Sequence, residues 1–225
     1  MNKTKIELNL MDFPEKLRPY MEGAMVYDSS CSDHAKVYYS DLGYYIKVEE
    51  KGKLEVEARA VSLFAERNLG PEMVLYVSTD KDFMVTKEAV GEDCLLEHYL
   101  NEPERLCRVL ADAMKFLHGL PADVPVSPCM QLYQEQGYGP KMKCDTFIHG
   151  DFCLPNLMLD DWKLSGFIDV GLSGRGDKHI DIYWALWSLN YNLKTDKYTD
   201  LFLDLYGREN IDMDILRIVA AVEKM

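Results

Sequence analysis

A chain of 225 residues with 48% hydrophobic content can bury its own core without disulfide or metal staples, as one large domain or two small ones. A formal net charge of −13 argues against a nucleic-acid partner, whose phosphates demand a basic surface, and suits a small cationic ligand drawn to an acidic cleft. No apolar run approaches a membrane span and Met1–Glu7 holds no apolar signal region, so a cytoplasmic protein with no membrane partner is expected. Acidity also serves solubility, so charge alone names no ligand. The six cysteines (Cys31, Cys94, Cys107, Cys129, Cys144, Cys153) lack C-x-x-C spacing and read as reduced, packed thiols.

Along the chain, Ala35–Tyr39 and Gly43–Val48 are β-rich runs parted by Ser40-Asp41-Leu42, which predicts a hairpin. Leu54, Ala58, Val61 and Ala65 recur at helical spacing until Gly70-Pro71. Met73–Val77 and Phe83–Thr86 predict a second strand pair. Lys87–Gly91 loses the strand pattern and reads as a hinge, which sets an N-terminal lobe at 1–88 and a C-terminal lobe at 89–225. Asn101 is then placed as a helix N-cap with Pro103 in the first turn, and Leu106, Val109, Leu110, Ala113, Phe116 and Leu117 form its apolar face. Pro121–Lys143 reads as irregular. Leu157–Leu159 and Leu164–Ile168 frame Asp160-Asp161 as a hairpin, and helices are expected near Asp177–Tyr191, Thr195–Tyr206 and Asp212–Glu223. Strands first and helices second give an α+β chain of two lobes gripping a nucleotide.

The chemistry concentrates in His149-Gly150-Asp151-Phe152-Cys153-Leu154-Pro155-Asn156 and Ile168-Asp169-Val170-Gly171. Asp151 suits the proton acceptor for an attacking hydroxyl, and the oxygens of Asn156 and Asp169 suit Mg²⁺ against a nucleoside triphosphate. The hairpin would return Asn156 and Asp169 to one mouth. His149 is read as a residue that fixes the loop by hydrogen bonds. Lys47, at the end of its strand, would reach phosphates, oriented by Glu57, with Glu55 a poorer partner. Tyr45 shares the Lys47 side of the strand and either lies over a nucleobase or is an ordinary core tyrosine. Thr86, closing its strand before the hinge, is counted with them. The loop Ser29–His34, which includes Ser32, would cover the phosphates, although it has no glycines and matches neither G-x-G-x-x-G nor a P-loop. Asp181 would reach back to hold the catalytic loop, with Arg175 as a partner, or else serve its own helix N-terminus. Trp184 and Trp187 read as core.

The block Ser165–Lys178 behind His149–Asn156, together with Ala35-Lys36-Val37-Tyr38, Tyr45-Ile46-Lys47, Lys87–Gly91 and Phe202–Gly207, resembles aminoglycoside 3′-phosphotransferases of the kinase-like superfamily. The resemblance implies a two-lobed protein-kinase-like fold, with a small antiparallel-sheet N-lobe and a mainly helical C-lobe. It also implies ATP- or GTP-dependent phosphorylation of a small hydroxylated, cationic acceptor. Asp151 would be catalytic, Asn156 and Asp169 the Mg²⁺ ligands, and Lys47 with Glu57 the phosphate-holding pair. Ala89 would meet the nucleobase through its backbone and Tyr45 through its ring, while Glu223 and the carboxylate of Met225 would touch a polyamine sugar. Three departures stand out. Leu172 replaces a substrate-facing Arg, Tyr191-Asn192 stand where some members place paired substrate-binding acids, and only about thirty residues separate His118 from His149, where a longer helical wall is usual. An aminoglycoside is the first acceptor expected and another sugar or amino alcohol the alternative. A nucleotide-binding pseudoenzyme is disfavoured by the intact Asp151, Asn156, Asp169 and Lys47. Either a monomer or a homodimer is compatible with the sequence.

Overall fold

The computed structural model describes residues 3–31 and 35–223. The chain divides after Ala89 into two compact units. The first is built on six antiparallel strands: β1 (Thr4–Ile6), β2 (Val26–Asp28), β3 (Lys36–Ser40), β4 (Tyr44–Glu50), β5 (Met73–Ser78) and β6 (Lys81–Lys87), in the order β1-β2-β3-β4-β6-β5. Both expected hairpins form, β3 with β4 and β5 with β6. Strand alternation then divides the residues of β4. Ile46 and Val48 join Phe13, Leu17, Met21, Phe83 and Val85 in the core, which leaves Tyr45 and Lys47 on the other face. Phe13 directly follows the 3-10 turn at Leu10–Asp12 and Leu17 lies in the one at Glu15–Tyr20, a segment whose prolines hide any period in the sequence. Helix α1 (Glu55–Glu66) buries Ala58, Ala60, Val61 and Phe64. It stops short of Gly70-Pro71, because Asn68 takes the left-handed conformation at φ +56° that ends helices.

The second unit carries β7 (Glu92–Asp93), α2 (Glu97–Leu100), α3 (Pro103–His118), α4 (Cys129–Glu135) and β8 (Thr146–Ile148). It continues with β9 (Leu157–Asp160), β10 (Lys163–Phe167), β11 (Gly174–Gly176), α5 (His179–Leu193), α6 (Thr199–Tyr206) and α7 (Met213–Val222). Its strands form two small antiparallel sheets, β10-β9-β7 and β11-β8. Helix α3 buries Leu106, Cys107, Leu110, Ala111, Ala113, Met114 and Leu117, each large side chain worth roughly 1.5–3 kcal/mol. Two expectations for α3 fail: the capping position is Glu102 rather than Asn101, and Phe116 is 48% exposed, rotated off the stripe. Helix α4 occupies part of the stretch read as irregular, too short to reveal a period between its prolines.

The β9–β10 hairpin turns through Asp161 and Trp162, both at positive φ as a tight hairpin turn requires. Trp162 stands where glycine would be easier, its ring held edge-on to Tyr99 at 4.8 Å with the Arg105 guanidinium 4.2 Å away. All six cysteines are free thiols, and no helix among the described residues is long and apolar enough to cross a membrane.

Candidate active site

In the second unit, the hairpin brings the Asn156 and Asp169 segments together: the Ile168 amide donates to the Asn156 carbonyl at 3.0 Å. Asn156 is buried, and its side-chain nitrogen donates to the Asp151 carboxylate at 2.9 Å and to the Asp151 carbonyl at 3.0 Å. Both partners are acceptors, so the amide orientation is fixed and its oxygen is the end able to ligate a cation. The other Asp151 oxygen accepts from the Cys153 thiol at 3.0 Å. Burial, reinforced by the Asp151 charge, pushes that thiol well above its ordinary pKa, so it stays a neutral donor. Asp169 is exposed and left-handed, φ +53° and ψ +44°, a conformation that costs a non-glycine residue about 1–2 kcal/mol.

His149 joins these two loops. It is fully buried, its Nδ1 accepts from the Asp151 amide at 3.2 Å, and its Nε2 donates to the Ile168 carbonyl at 3.0 Å. These bonds define one neutral tautomer and the fixing role read from the sequence. Asp181 reaches back as expected: its carboxylate accepts from the His149 amide and the Gly150 amide, each at 2.8 Å. Arg175 does not join it. That residue is exposed whereas Asp181 has no exposure at all, and His118 Nε2 takes the place at 3.0 Å. Next to Asp181, Gly150 sits at φ +85°, where a Cβ would collide with the Leu172 carbonyl.

The Leu172 carbonyl also accepts from Ser127 Oγ at 2.6 Å. Residues 125–127 run beside β11 through the Arg175 amide on the Pro125 carbonyl and the Ser127 amide on the Arg175 carbonyl. The short stretch before His149 is therefore strapped to the backbone against which the Asp151 loop packs. Leu172 itself is 43% exposed. Tyr191 is also exposed, at 58%, while Asn192 turns its amide nitrogen onto the Ser188 carbonyl of its own helix at 2.7 Å. Trp187, read as core, is 45% exposed because it lies outside the buried face of α5. Glu223 accepts a short hydrogen bond from the buried Tyr133 hydroxyl, and burial with that carboxylate raises the tyrosine pKa.

In the first unit, Lys47 Nζ donates to both Glu57 oxygens, at 2.7 and 2.8 Å, with both side chains largely buried. Tyr45 stands in register between Tyr39 and Thr86 on the same face, with its ring 5.0 Å from that of Tyr39. Ala89 closes this unit just after Glu88, whose amide donates to the Gly43 carbonyl. Ser29 and Ser30 hold the start of their loop, the Ser29 amide on the Val37 carbonyl and Ser30 Oγ accepting from the Val37 amide. Ser32 and Met225 lie outside the described residues.

Asp82 went unread in the sequence. Fully buried, it accepts from the Leu54 amide at 3.0 Å and Ser78 Oγ at 2.6 Å, which anchors the start of α1 and hence Glu57. Burial works against its charge, but these hydrogen bonds outweigh it and leave the pKa lowered. A lone acid at the head of an apolar strand was the available signal.

Oxygen donors beside a loop-borne carboxylate, on an α+β chain in which Lys47 of β4 pairs with Glu57 of α1, are the parts expected of a kinase-like phosphotransferase. Residues 141–218 match the phosphotransferase enzyme family. A probable aminoglycoside 3′-phosphotransferase of Lactococcus lactis subsp. lactis is 36% identical over 257 aligned positions, covering 99% of this chain and 98% of the relative. That alignment is longer than the chain, so the relative carries residues that this one lacks. The aminoglycoside 3′-phosphotransferase of Niallia circulans is 49% identical over 72 residues, 32% of this chain and 28% of its own. Among solved structures, an aminoglycoside 3′-phosphotransferase of type VIII superposes with a TM-score of 0.74 at 20% identity, over 95% of this chain and 98% of that one. An aminoglycoside phosphotransferase from Streptomyces rimosus, in complex with ADP and streptomycin, gives 0.74 at 19% identity, over 96% and 98%. The chain belongs to the aminoglycoside 3′-phosphotransferase family and has its kinase-like fold.

Proposed function

We propose that this enzyme moves the γ-phosphate of ATP or GTP to a hydroxyl of an aminoglycoside. The observation that carries the reading is the Asp151 carboxylate, held at one oxygen by Asn156 and at the other by Cys153, in a loop that the hairpin ties to Asp169. A carboxylate so fixed is oriented to receive the acceptor's proton. As the hydroxyl oxygen bonds to the γ-phosphorus, the bond to the bridging oxygen breaks and a nucleoside diphosphate leaves. Positioning dominates such a reaction, because its transition state is loose and the proton leaves late.

The Asn156 amide oxygen and the Asp169 carboxylate fit a hard dication, because both present oxygen and the Asn156 nitrogen is already committed to Asp151. Mg²⁺ held there would neutralise phosphate charge. Lys47, oriented by Glu57, supplies a second cation for the phosphates, with Tyr45, Thr86 and the Ala89 backbone at the nucleobase and Ser32 in the covering loop. At the acceptor end, Glu223 is oriented by Tyr133 for an ammonium group, alongside Met225, Tyr191 and Asn192. The names of the relatives and the bound antibiotic of the S. rimosus structure support this acceptor class. The exposed apolar Leu172 favours a second reading, in which a less cationic sugar or amino alcohol takes its place. Cytoplasmic action as a monomer or homodimer belongs to the same proposal.

Nucleotide consumption measured with kanamycin, streptomycin and neutral sugars, beside Asp151→Ala, tests the reading. Turnover with an aminoglycoside that Asp151→Ala abolishes is expected. Equal turnover by Asp151→Ala would overturn the catalytic assignment, and turnover of neutral sugars alone would replace the acceptor.

A further inference from the structure

The chain enters its second unit fastened to the hairpin that presents Asn156 and Asp169. That hairpin, β9–β10, starts directly after Asn156 and ends two residues before Asp169. Its pairing skips one residue: Leu164 faces Leu159 and Gly166 faces Met158, so Ser165 bulges out of β10. A bulge re-aims the side chain it carries. The Ser165 hydroxyl donates to the Val90 carbonyl at 2.6 Å, at the first residue after Ala89.

Two further contacts close on the same spot. Gly91 lies at φ +94°, and a Cβ there would stand 2.4 Å from the Leu159 carbonyl oxygen and 2.7 Å from Ser165 Oγ. Only glycine lets the backbone come this close to the hairpin. Beyond it, β7 pairs with β9 through Glu92 and Asp93, a strand too short to contribute much alone. Burial gives no help at the start of this segment. Val90 is 71% exposed, Gly91 and Glu92 are exposed too, and the first buried side chain is Cys94. Polar and backbone contacts therefore hold residues 90–93, and Ser165 supplies the one nearest Ala89.

We propose that Ser165 is a positioning residue. It latches the end of the hinge to the hairpin, which keeps the nucleobase contact at Ala89 in register with the metal-binding oxygens of Asn156 and Asp169. The inference rests on the proposed nucleotide site and deepens it. A nucleotide carrying Mg²⁺ engages both ends at once, so its affinity depends on a spacing fixed beforehand. Nucleotide without the metal engages the base contacts and Lys47 but makes no demand on the hairpin. No covalent bond is made or broken, and the latch acts on affinity for the metal-loaded nucleotide.

Calorimetric titration of ADP with and without Mg²⁺, alongside thermal melts, tests it. Ser165→Ala is expected to weaken Mg²⁺-loaded ADP about three- to tenfold, the scale of one hydrogen bond, and to leave metal-free ADP within about twofold. The melting temperature should hold, because water can replace the hydroxyl at this exposed position. Ser165→Thr keeps the hydroxyl and should restore wild-type binding. Mg²⁺-loaded ADP binding that Ser165→Ala leaves unchanged overturns the latch alone, as does an equal loss with and without the metal. Weak binding by Ser165→Thr as well would take the role away from the hydroxyl. No binding of ADP or GDP by the wild type overturns the nucleotide site and the latch together.

Discussion

The His118 imidazole and the Asp181 carboxylate meet at 3.0 Å in a space closed to solvent, at the far end of α3 from its proline start. The second imidazole nitrogen lies 2.8 Å from the Tyr206 hydroxyl, so α6, α3 and α5 are linked through one ring. Burial, reinforced by the charge of Asp181, raises the Tyr206 pKa and keeps that hydroxyl a donor. With Tyr206 donating to Nδ1, Nε2–H donates to Asp181, and the carboxylate keeps its remaining capacity for the two loop amides. His118→Ala leaves a buried carboxylate and a buried hydroxyl short of partners and is expected to cost about 2–3 kcal/mol of stability. Urea unfolding reads it, and a loss under about 0.5 kcal/mol would show that water replaces the ring without penalty.

Gly150 is irreplaceable on two counts, its positive φ and the Leu172 carbonyl against it. Gly150→Ala must move either the loop of the proposed base Asp151 or Leu172, whose carbonyl is tethered to Ser127. A shift of about 1 Å in Asp151 suffices for a loss of about 100-fold in kcat. The measurement is turnover at saturating acceptor on protein whose thermal transition is intact. Activity within threefold of wild type would mean that the strap yields instead of the loop.

Much of this was legible in the sequence because it depends on short-range pattern. The β9–β10 hairpin announced itself through two apolar runs around Asp160-Asp161, and from it followed the approach of Asn156 to Asp169. The link from Asp181 to the loop was legible too. What escaped depends on long-range packing. His118 looked like the end of a helix, and its partners lie 63 and 88 residues away. Asp82 drew no reading at all, because its partner, the Leu54 amide, lies 28 residues away in the chain. Trp187 was misread because a helix of nearly uniform hydrophobicity does not declare which face is outward.

Acid should unfold the protein partly through Asp177. Burial opposes its charge, but bonds from the His179 ring at 2.6 Å, the His179 amide at 3.0 Å and the Lys143 amide at 2.7 Å outweigh it and lower its pKa. His179 Nε2 accepts from the Asp212 amide, so its Nδ1 carries the hydrogen given to Asp177. A carboxyl whose folded pKa lies below its unfolded value of about 3.9 stabilises the fold above that value, and loses the contribution as pH falls through the folded one. The stability difference between wild type and Asp177→Asn should therefore be largest near neutrality and shrink below about pH 4. Urea melts from pH 7 to pH 3 measure it, and a difference independent of pH would remove Asp177 as the titrating group.

Lys47 and Asp82 separate catalysis from folding within the first unit. Lys47→Ala removes the cation proposed for the phosphates while leaving the sheet core of Ile46 and Val48 intact, since Lys47 lies on the opposite face. Turnover should fall about 100-fold, the scale of losing one charge-stabilising donor, while the melting temperature falls by only about 2–4 °C. Asp82→Asn acts from the other direction. Its NH₂ replaces one of the two carboxylate oxygens that separately accept from the Leu54 amide and Ser78, and cannot accept at all, so the start of α1 loosens and stability drops by about 2 kcal/mol. Because α1 carries Glu57, some activity should go with it, through a Lys47 that is present but poorly held. Kinetics and thermal melts on both variants decide the matter. If Lys47→Ala proved the less stable protein and Asp82→Asn the less active one, the two roles would have to be exchanged.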